Sequence, residues 1–197
     1  MIDAKSGPSP GDAPAIAQDG RGQPHPYSTS ERIKRVVWSC FYWTLYRWVP
    51  RIFNGWHRSS LRMFGATIGP DVLIYPSALI ECPWNLVLAN NAVIGDGVRL
   101  YALGPIHIGR HSVISQLAHL CAGTHDYTDP RMPLLRPSII IGDGVWICTE
   151  AFIGPGANVG HRSVVGARSV VMGALPEDMV CAGNPCRPIK RRVMRNL

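Results

Sequence analysis

From Ala66 to Met172 a large aliphatic residue returns every six positions, most plainly in the last third as Ile141, Ile147, Ile153, Val159, Val165 and Val171. Earlier triplets keep the same step: Ile68, Ile74, Ile80, then Leu88, Ile94, Leu100, then Ile108, Ile114, Leu120. Two positions before the beat sits a small or β-branched residue at most sites, as at Ala78, Ala92, Ala118, Val145, Ala151 and Ser163, and Gly often follows it. A period of six fits neither a helix at 3.6 residues per turn nor a long alternating strand, so each unit must be a short strand plus a turn. Positions two apart point the same way in a strand, so the beat residue and the small residue before it both face inward. Gly after the beat, as at Gly69, Gly95 and Gly142, is expected to supply backbone freedom at the corner. Three units make one triangular coil, and the fifteen beats named above predict about five coils at ~4.8 Å each, roughly 24 Å of prism.

Two-residue slips after the first and second triplets are short enough to be absorbed as longer corners. The break from Thr124 to Ser138 is not, and it must leave the prism as a loop carrying Thr124, His125, Asp126, Tyr127, Thr128, Asp129 and Pro130. Long loops in compact domains tend to be functional. The chain therefore divides into a polar lead at 1–30, rich in Pro, Gly, Ser and Asp and read as disordered; an aromatic, basic helical extension at 31–64; the repeat at 65–174, with its excursion at 124–138; and a tail at 175–197.

Charge sharpens this division. The formal net charge is +7, but the repeat is close to neutral. Arg32, Lys34, Arg35, Arg47, Arg51, Arg58 and Arg62 crowd the extension, and Arg187, Lys190, Arg191, Arg192 and Arg195 crowd the tail. Basic ends on a neutral barrel argue against a nucleic-acid groove and for local anion sites or a membrane surface. Val36 to Val49 is the one apolar stretch outside the repeat. It holds Trp38, Trp43 and Trp48, has Arg47 inside it and Pro50 closing it, and is too short for a bilayer span of ~20 residues. It reads as a helix that packs on the prism or a neighbouring subunit, or that lies in a membrane interface; the two readings are compatible. The six Cys form no CxxC pair and read as small buried hydrophobes in a reducing compartment. No charged start followed by an apolar run and a cleavage site opens the chain, so a cytoplasmic protein is expected.

Three motifs in order carry a family resemblance: Ile141-Gly142-Asp143-Gly144-Val145-Trp146-Ile147, then Val165-Gly166-Ala167-Arg168-Ser169-Val170-Val171, then Ala182-Gly183-Asn184-Pro185-Cys186-Arg187-Pro188-Ile189-Lys190. They resemble the maltose, galactoside and nodulation-type O-acetyltransferases among the hexapeptide-repeat acyltransferases. Met63-Phe64-Gly65-Ala66-Thr67-Ile68-Gly69, Tyr101-Ala102-Leu103-Gly104 and Ser112-Val113-Ile114-Ser115-Gln116 are similar to the colanic acid biosynthesis branch. The resemblance covers roughly residues 30–192. It implies an all-β, left-handed parallel β-helix of about five coils, with an N-terminal helical extension and a short C-terminal tail. It also implies a homotrimer with acetyl-CoA lying between subunits.

Transfer of an acetyl group to a sugar hydroxyl needs a base that takes the hydroxyl proton as the oxygen attacks, and an imidazole of ordinary pKa ~6.5 suits that task. By resemblance His125 is this base. Asp126 and Asp129 are candidates for orienting the imidazole or holding acceptor hydroxyls, or else for capping loop turns. Relatives place an Asn on the acceptor hydroxyl; Leu100-Tyr101-Ala102-Leu103 offers none, which leaves Tyr101 as the candidate there. For the cofactor the resemblance implies Trp146, Thr149, Ala167, Arg187 and Lys190. The last two have an independent rationale, because the CoA phosphates call for cations. Arg191, Arg192 and Arg195 read as a solvated tail. The acceptor implied is a sugar, or a lipid-linked saccharide, of an exopolysaccharide precursor.

Three rival readings are distinguishable. A covalent route would use a Cys beside a base, and Cys121 lies four residues before His125. A γ-carbonic-anhydrase-like zinc enzyme would need His pairs five residues apart, which are absent, and no metal ligand set is assigned. A non-catalytic solenoid would act only as a binding wall or spacer.

Overall fold

The computed structural model describes residues 26–194. Most of the polar lead (1–25), and Arg195 of the tail, lie outside the described residues. Parallel strands build three walls. The first consists of Thr67–Ile68, Leu86–Leu88, Ile106–Ile108, Ile139–Ile141, Asn158–Val159 and Ala174–Leu175. The second consists of Leu73–Ile74, Val93–Ile94, Val113–Ile114, Trp146–Ile147, Val164–Val165 and Met179–Ala182, with Arg187–Arg191 added antiparallel at its edge. The third consists of Leu79–Glu81, Arg99–Tyr101, His119–Cys121, Phe152–Ile153 and Val170–Val171. That makes five complete coils and two walls of a sixth. The expected end of the repeat at 174 is thereby corrected. Leu175 and Cys181 are buried beat residues, but Leu175 follows Val171 by four positions rather than six, and this change of phase hides the last coil.

All fifteen beat residues are at most 6% exposed, and so are their small partners from Ala66 to Ser169. Alternating a large side chain with a small one is what lets three flat walls close on a narrow axis. Gly after the beat does not serve backbone freedom at the corner, contrary to what the repeat pattern suggests. Those glycines are not in the left-handed region; the residue three places after the beat is, as at Asp71, Asn91, His111 and Arg162, φ 54° to 58°. Where glycine follows the beat, it is there because the next coil passes too close. A Cβ on Gly142 would fall 2.8 Å from the His161 backbone nitrogen, and one on Gly95 2.9 Å from the Ile114 carbonyl oxygen.

An aromatic cap closes the start of the solenoid. Helix α1, Thr29–Phe41, is started by Ser28, whose hydroxyl accepts from the Glu31 backbone N–H, so it begins two residues inside the segment read as disordered. After a widened turn at Tyr42–Tyr46 and Pro50, helix α2, Asn54–Met63, runs back over the first coil. The pair is pinned to all three walls of that coil. Arg62 donates to the Ile68 carbonyl (2.7 Å), Asn54 bonds Val72 and Ile74 (2.6 and 3.0 Å), Trp38 donates to Ile80 (2.7 Å) and Tyr42 to Ala78 (3.1 Å). Thus the edge of the stack, which would otherwise be free to pair with another chain, is covered. Between the helices lie Trp38, Phe41, Tyr46, Phe64 and His57 in ring contact. Burial pushes the His57 imidazole below its usual value and the Tyr46 phenol above.

The cap also clasps the root of the excursion. Arg136, where the loop returns, pairs with Glu31 at 3.0 Å, donates to the Pro26 carbonyl at 2.8 Å and lies over the Tyr27 ring at 5.1 Å. Arg35 covers the same ring at 4.4 Å and pairs with Glu81 at 3.3 Å. Two guanidinium groups on one ring tie helix, wall and loop together. Replacing Arg136 by Ala leaves the Glu31 carboxylate, 17% exposed, unpaired and should cost ~1–3 kcal/mol, with faster amide exchange across 124–135. Gly142→Ala should lose ~1–3 kcal/mol by overpacking. Gly144→Ala, at φ 65° with ordinary contacts, should lose about 1 kcal/mol, the ~1–2 kcal/mol of left-handed backbone less the ~0.4–1 kcal/mol that alanine gains by restricting the unfolded chain. Urea denaturation reads both, and the reverse ranking would restore the backbone-freedom explanation.

Candidate active site

The segment 124–138 forms a small hairpin. Thr124–His125 pairs antiparallel with Leu134–Leu135, and His125 stands opposite Leu134. Its tip is fixed by side-chain turns. Asp126 accepts from the Thr128 hydroxyl at 2.6 Å and backbone N–H at 2.9 Å. Asp129 accepts from the Arg131 backbone N–H at 2.9 Å and guanidinium at 2.8 Å. The Thr128 hydroxyl holds the Asp126 carboxyl below its usual range, and the Arg131 guanidinium does the same for Asp129.

Met132 follows at φ 48°, left-handed backbone that costs a non-glycine residue ~1–2 kcal/mol, and its carbonyl oxygen lies 2.6 Å from His125 Nδ1. A carbonyl has no proton to give. Nδ1 is therefore the donor, and in the neutral ring Nε2 keeps its lone pair. His125 is exposed, so that lone pair has access to an incoming hydroxyl. Of the two roles weighed for the acids, the observed bonds are those of loop turns: Met132, not Asp126, orients the imidazole, and Asp129 is engaged by Arg131.

Tyr101 lies half-buried on the outer face of the third wall, in register with Glu81 and Cys121, and burial pushes its phenol up. A Cβ on Gly123 would sit 3.2 Å from its ring, so the hairpin root reaches Tyr101 because that position is glycine. The Cys121 thiol donates to the Gly123 carbonyl at 3.4 Å. It is directed at backbone rather than at the imidazole, which leaves the covalent rival without support. A cleft of about 640 Å³ opens between α1 and the third wall, lined by Arg35, Trp38, Tyr42, Glu81 and Arg99 among others. None of the candidate site residues lines it.

The five cofactor candidates gather on the second wall and its edge. Trp146 is in register with Val164, Val164 with Val180 and Val180 with Lys190, an outward column ~14 Å long at ~4.8 Å per strand step. The Trp146 indole N–H donates to the Ser115 hydroxyl at 2.8 Å. Arg187 stands opposite Ala182 on the edge strand. Thr149 and Ala167 occupy the same corner in successive coils, where the second wall turns into the third: the Thr149 hydroxyl donates to the Gln116 carbonyl, and Arg168 N–H to the Thr149 carbonyl, both at 3.0 Å. Cys148 lies beside them, half-buried, its thiol pushed up by that burial and so less nucleophilic.

The hairpin, however, springs from the corner between the third and first walls. Among the described residues no hydrogen bond or ion pair joins it to the five cofactor candidates. One chain thus carries the imidazole and the column of cofactor candidates on different edges of the prism. Sequence reasoning missed Met132, which no pattern marks, and Arg136, a cation at the loop's end that its charge could have flagged. It also misread Arg192. Rather than a solvated tail residue, Arg192 is half-buried, with its guanidinium on the Gly144 and Arg162 carbonyls at 2.9 and 2.8 Å.

No family model matches the chain. Among solved structures, galactoside acetyltransferase in complex with coenzyme A superposes with TM-score 0.77 at 23% identity over 84% of each chain. The hexapeptide-repeat acetyltransferase VCA0836 of Vibrio cholerae, complexed with acetyl coenzyme A, gives 0.76 at 22% identity over 86% of this chain and 93% of that one. These likenesses establish the fold, a left-handed parallel β-helix. Galactoside O-acetyltransferase of Escherichia coli is 28% identical over 139 residues, 67% of this chain and 66% of its own length. The Escherichia coli protein named for colanic acid biosynthesis acetyltransferase, WcaF, is 42% identical over 174 residues, 88% of this chain and 96% of its own length. Identity at that level across nearly the whole of both chains is kinship, and this chain belongs to the hexapeptide-repeat acetyltransferases.

Proposed function

We propose that the protein moves an acetyl group from acetyl-CoA to a hydroxyl of a sugar in an exopolysaccharide precursor, by direct transfer with His125 as general base. The observation that carries this reading is the Met132 carbonyl 2.6 Å from His125 Nδ1, which leaves Nε2 to accept the proton. The acceptor oxygen attacks the thioester carbonyl carbon as its proton passes to Nε2. The tetrahedral intermediate then collapses, the C–S bond breaks, and the imidazolium returns the proton to the departing thiolate. Products are the O-acetyl sugar and CoA-SH, with no net proton change.

Acetyl-CoA would lie along the second wall, with its pantetheine arm against Trp146, Val164 and Val180 and beside Thr149 and Ala167, and its phosphates near Arg187 and Lys190. Asp126 and Asp129 would serve by holding the hairpin tip, and Tyr101 would face the acceptor. Because imidazole and cofactor column sit on different edges of one prism, the site is complete only where the hairpin of one copy meets the second wall of another. A homotrimer does this three times in a closed ring. The enzyme would work in the cytoplasm, peripheral to the inner face of the membrane where lipid-linked saccharides are assembled.

His125→Ala should lower kcat by ~10²- to 10⁴-fold in a thiol-release assay with acetyl-CoA, leaving the KM for acetyl-CoA near wild type; unchanged turnover would remove His125 from the mechanism. The trimer predicts three times the chain mass of 21.6 kDa by light scattering, and a monomer that turns over at full rate would end that part of the reading.

A further inference from the structure

The cap that closes the solenoid has an outer surface that does not suit water. Terminal caps of repeat proteins normally present a polar face. Here α1 is apolar on both sides. Trp38 faces the prism, while Ile33, Val36, Val37 and Cys40, at i, i+3, i+4 and i+7, form a stripe on the opposite side that is exposed and covered by none of the described residues. The stripe continues into the link between the helices, where Trp43, Trp48, Ile52 and Phe53 are 54%, 72%, 83% and 56% exposed. A ridge of this extent marks an interaction site rather than chance exposure.

Charge decides between occupants. From Arg32 to Pro70 there is no acidic residue, and the ridge is flanked by Arg32 and Lys34, whose side chains make no hydrogen bond or ion pair among the described residues, and by Arg47 and Arg51, which stack on the Trp43 and Tyr75 rings. A second copy presenting this same face would bring cations against cations. An anionic leaflet offers what the face lacks: hydrocarbon for the aliphatic stripe, a headgroup zone for indole rings, and phosphates for the guanidinium and ammonium groups. No helix among the described residues is long and apolar enough to cross a membrane, so the fit is to a surface. We propose that the α1–α2 cap docks on an anionic bilayer, with Ile33, Val37, Trp48, Ile52 and Phe53 in the interface and Arg32 and Lys34 on lipid phosphates.

The inference deepens the peripheral location proposed above and rests on it. It adds a consequence: through Glu31 and Tyr27 the docked helix holds Arg136 and hence the hairpin root, so the loop that bears His125 is fixed relative to the membrane plane. In any ring whose axis follows the stacking direction of the coils, all three caps face the same side. Three weak contacts then act as one strong one.

The test is flotation of the full chain with vesicles of phosphatidylcholine alone, or with one-third phosphatidylglycerol, at low and at 0.5 M salt. Wild type should float with the anionic vesicles at low salt, bind much less to the neutral ones, and show a blue shift of Trp emission. Ile52→Ser with Phe53→Ser should weaken binding at least tenfold, and Arg32→Gln and Lys34→Gln roughly fivefold each. All variants should keep the wild-type mass and thiol release with a water-soluble acceptor, because none touches the site. Equal flotation of wild type and the Ile52/Phe53 variant, or none by either, overturns the proposal. So does a larger assembly without lipid that this variant disperses, since a second copy would then cover the ridge. His125→Ala should float as wild type does. Failed flotation with thiol release intact sinks the docking surface alone, whereas thiol release indifferent to His125→Ala sinks the catalytic reading and leaves the surface standing.

Discussion

Everything in this molecule depends on coils that repeat in register, each large aliphatic side chain stacked on its counterpart one coil away and, at most sites, paired with a small or β-branched one two residues earlier. At ~4.8 Å between strands the backbone of one coil hydrogen-bonds the next, as from Gly95 N–H to the Ile114 carbonyl (2.8 Å) and from Gly142 N–H to the Val159 carbonyl (2.9 Å). The same tightness excludes a side chain at those positions after the beat where glycine stands, such as Gly69, Gly95 and Gly142, since a Cβ there would strike the following coil. Left-handed backbone at the third residue after the beat then turns the chain, and Asp, Asn, His and Arg tolerate it. Corner geometry and coil stacking are thus separate demands met by different residues.

Such a stack tolerates irregularity only at its corners, and most of this chain's irregularity falls on one edge. Cys82–Asn85, Ala102–Pro105 and the hairpin all leave between the third and first walls, and Asn85 ladders the first two by donating to the Ala102 and Leu103 carbonyls at 2.8 and 2.9 Å. That edge therefore carries the largest excursion, while the second wall runs in register from Trp146 through Val164 and Val180 to Lys190, with a register shift at Val180/Cys181. A rigid wall and a strained hairpin are complementary. The proposed acetyl-CoA site lies along the wall. The hairpin holds one imidazole in one tautomer, with Met132 kept in left-handed backbone by the turns at Asp126 and Asp129.

The cap adds a second asymmetry. Solenoids must cover their ends, and at its start this one does so with aromatic side chains, of which Trp38 and Tyr42 satisfy their polar atoms on first-coil carbonyls while the buried Tyr46 hydroxyl has no hydrogen-bond partner among the described residues. Trp38 and Tyr42 face inward by this means, whereas Trp43 and Trp48 face out. The division is imposed by the spacing of residues along α1 and by the widened turn after it, where Arg47 N–H reaches back to the Tyr42 carbonyl. Through Tyr27, held between Arg35 and Arg136, the cap is also mechanically continuous with the hairpin.

The sequence by itself determined the triangular prism, the number of its full coils, which residues point inward, and where the excursion leaves. These follow from local alternation, and a side chain two positions from another in a strand has no choice of side. The family likewise could be read from three motifs in order. Tertiary structure alone decided why glycine follows the beat, that a sixth coil begins after a four-residue step, that Arg192 is anchored, and that Met132 rather than Asp126 orients His125. Each of those rests on a backbone group brought close by coil stacking or turn geometry, and backbone groups leave no trace in the order of side chains. The Arg136–Glu31 pair joins positions 105 residues apart, a separation at which only the folded chain selects partners.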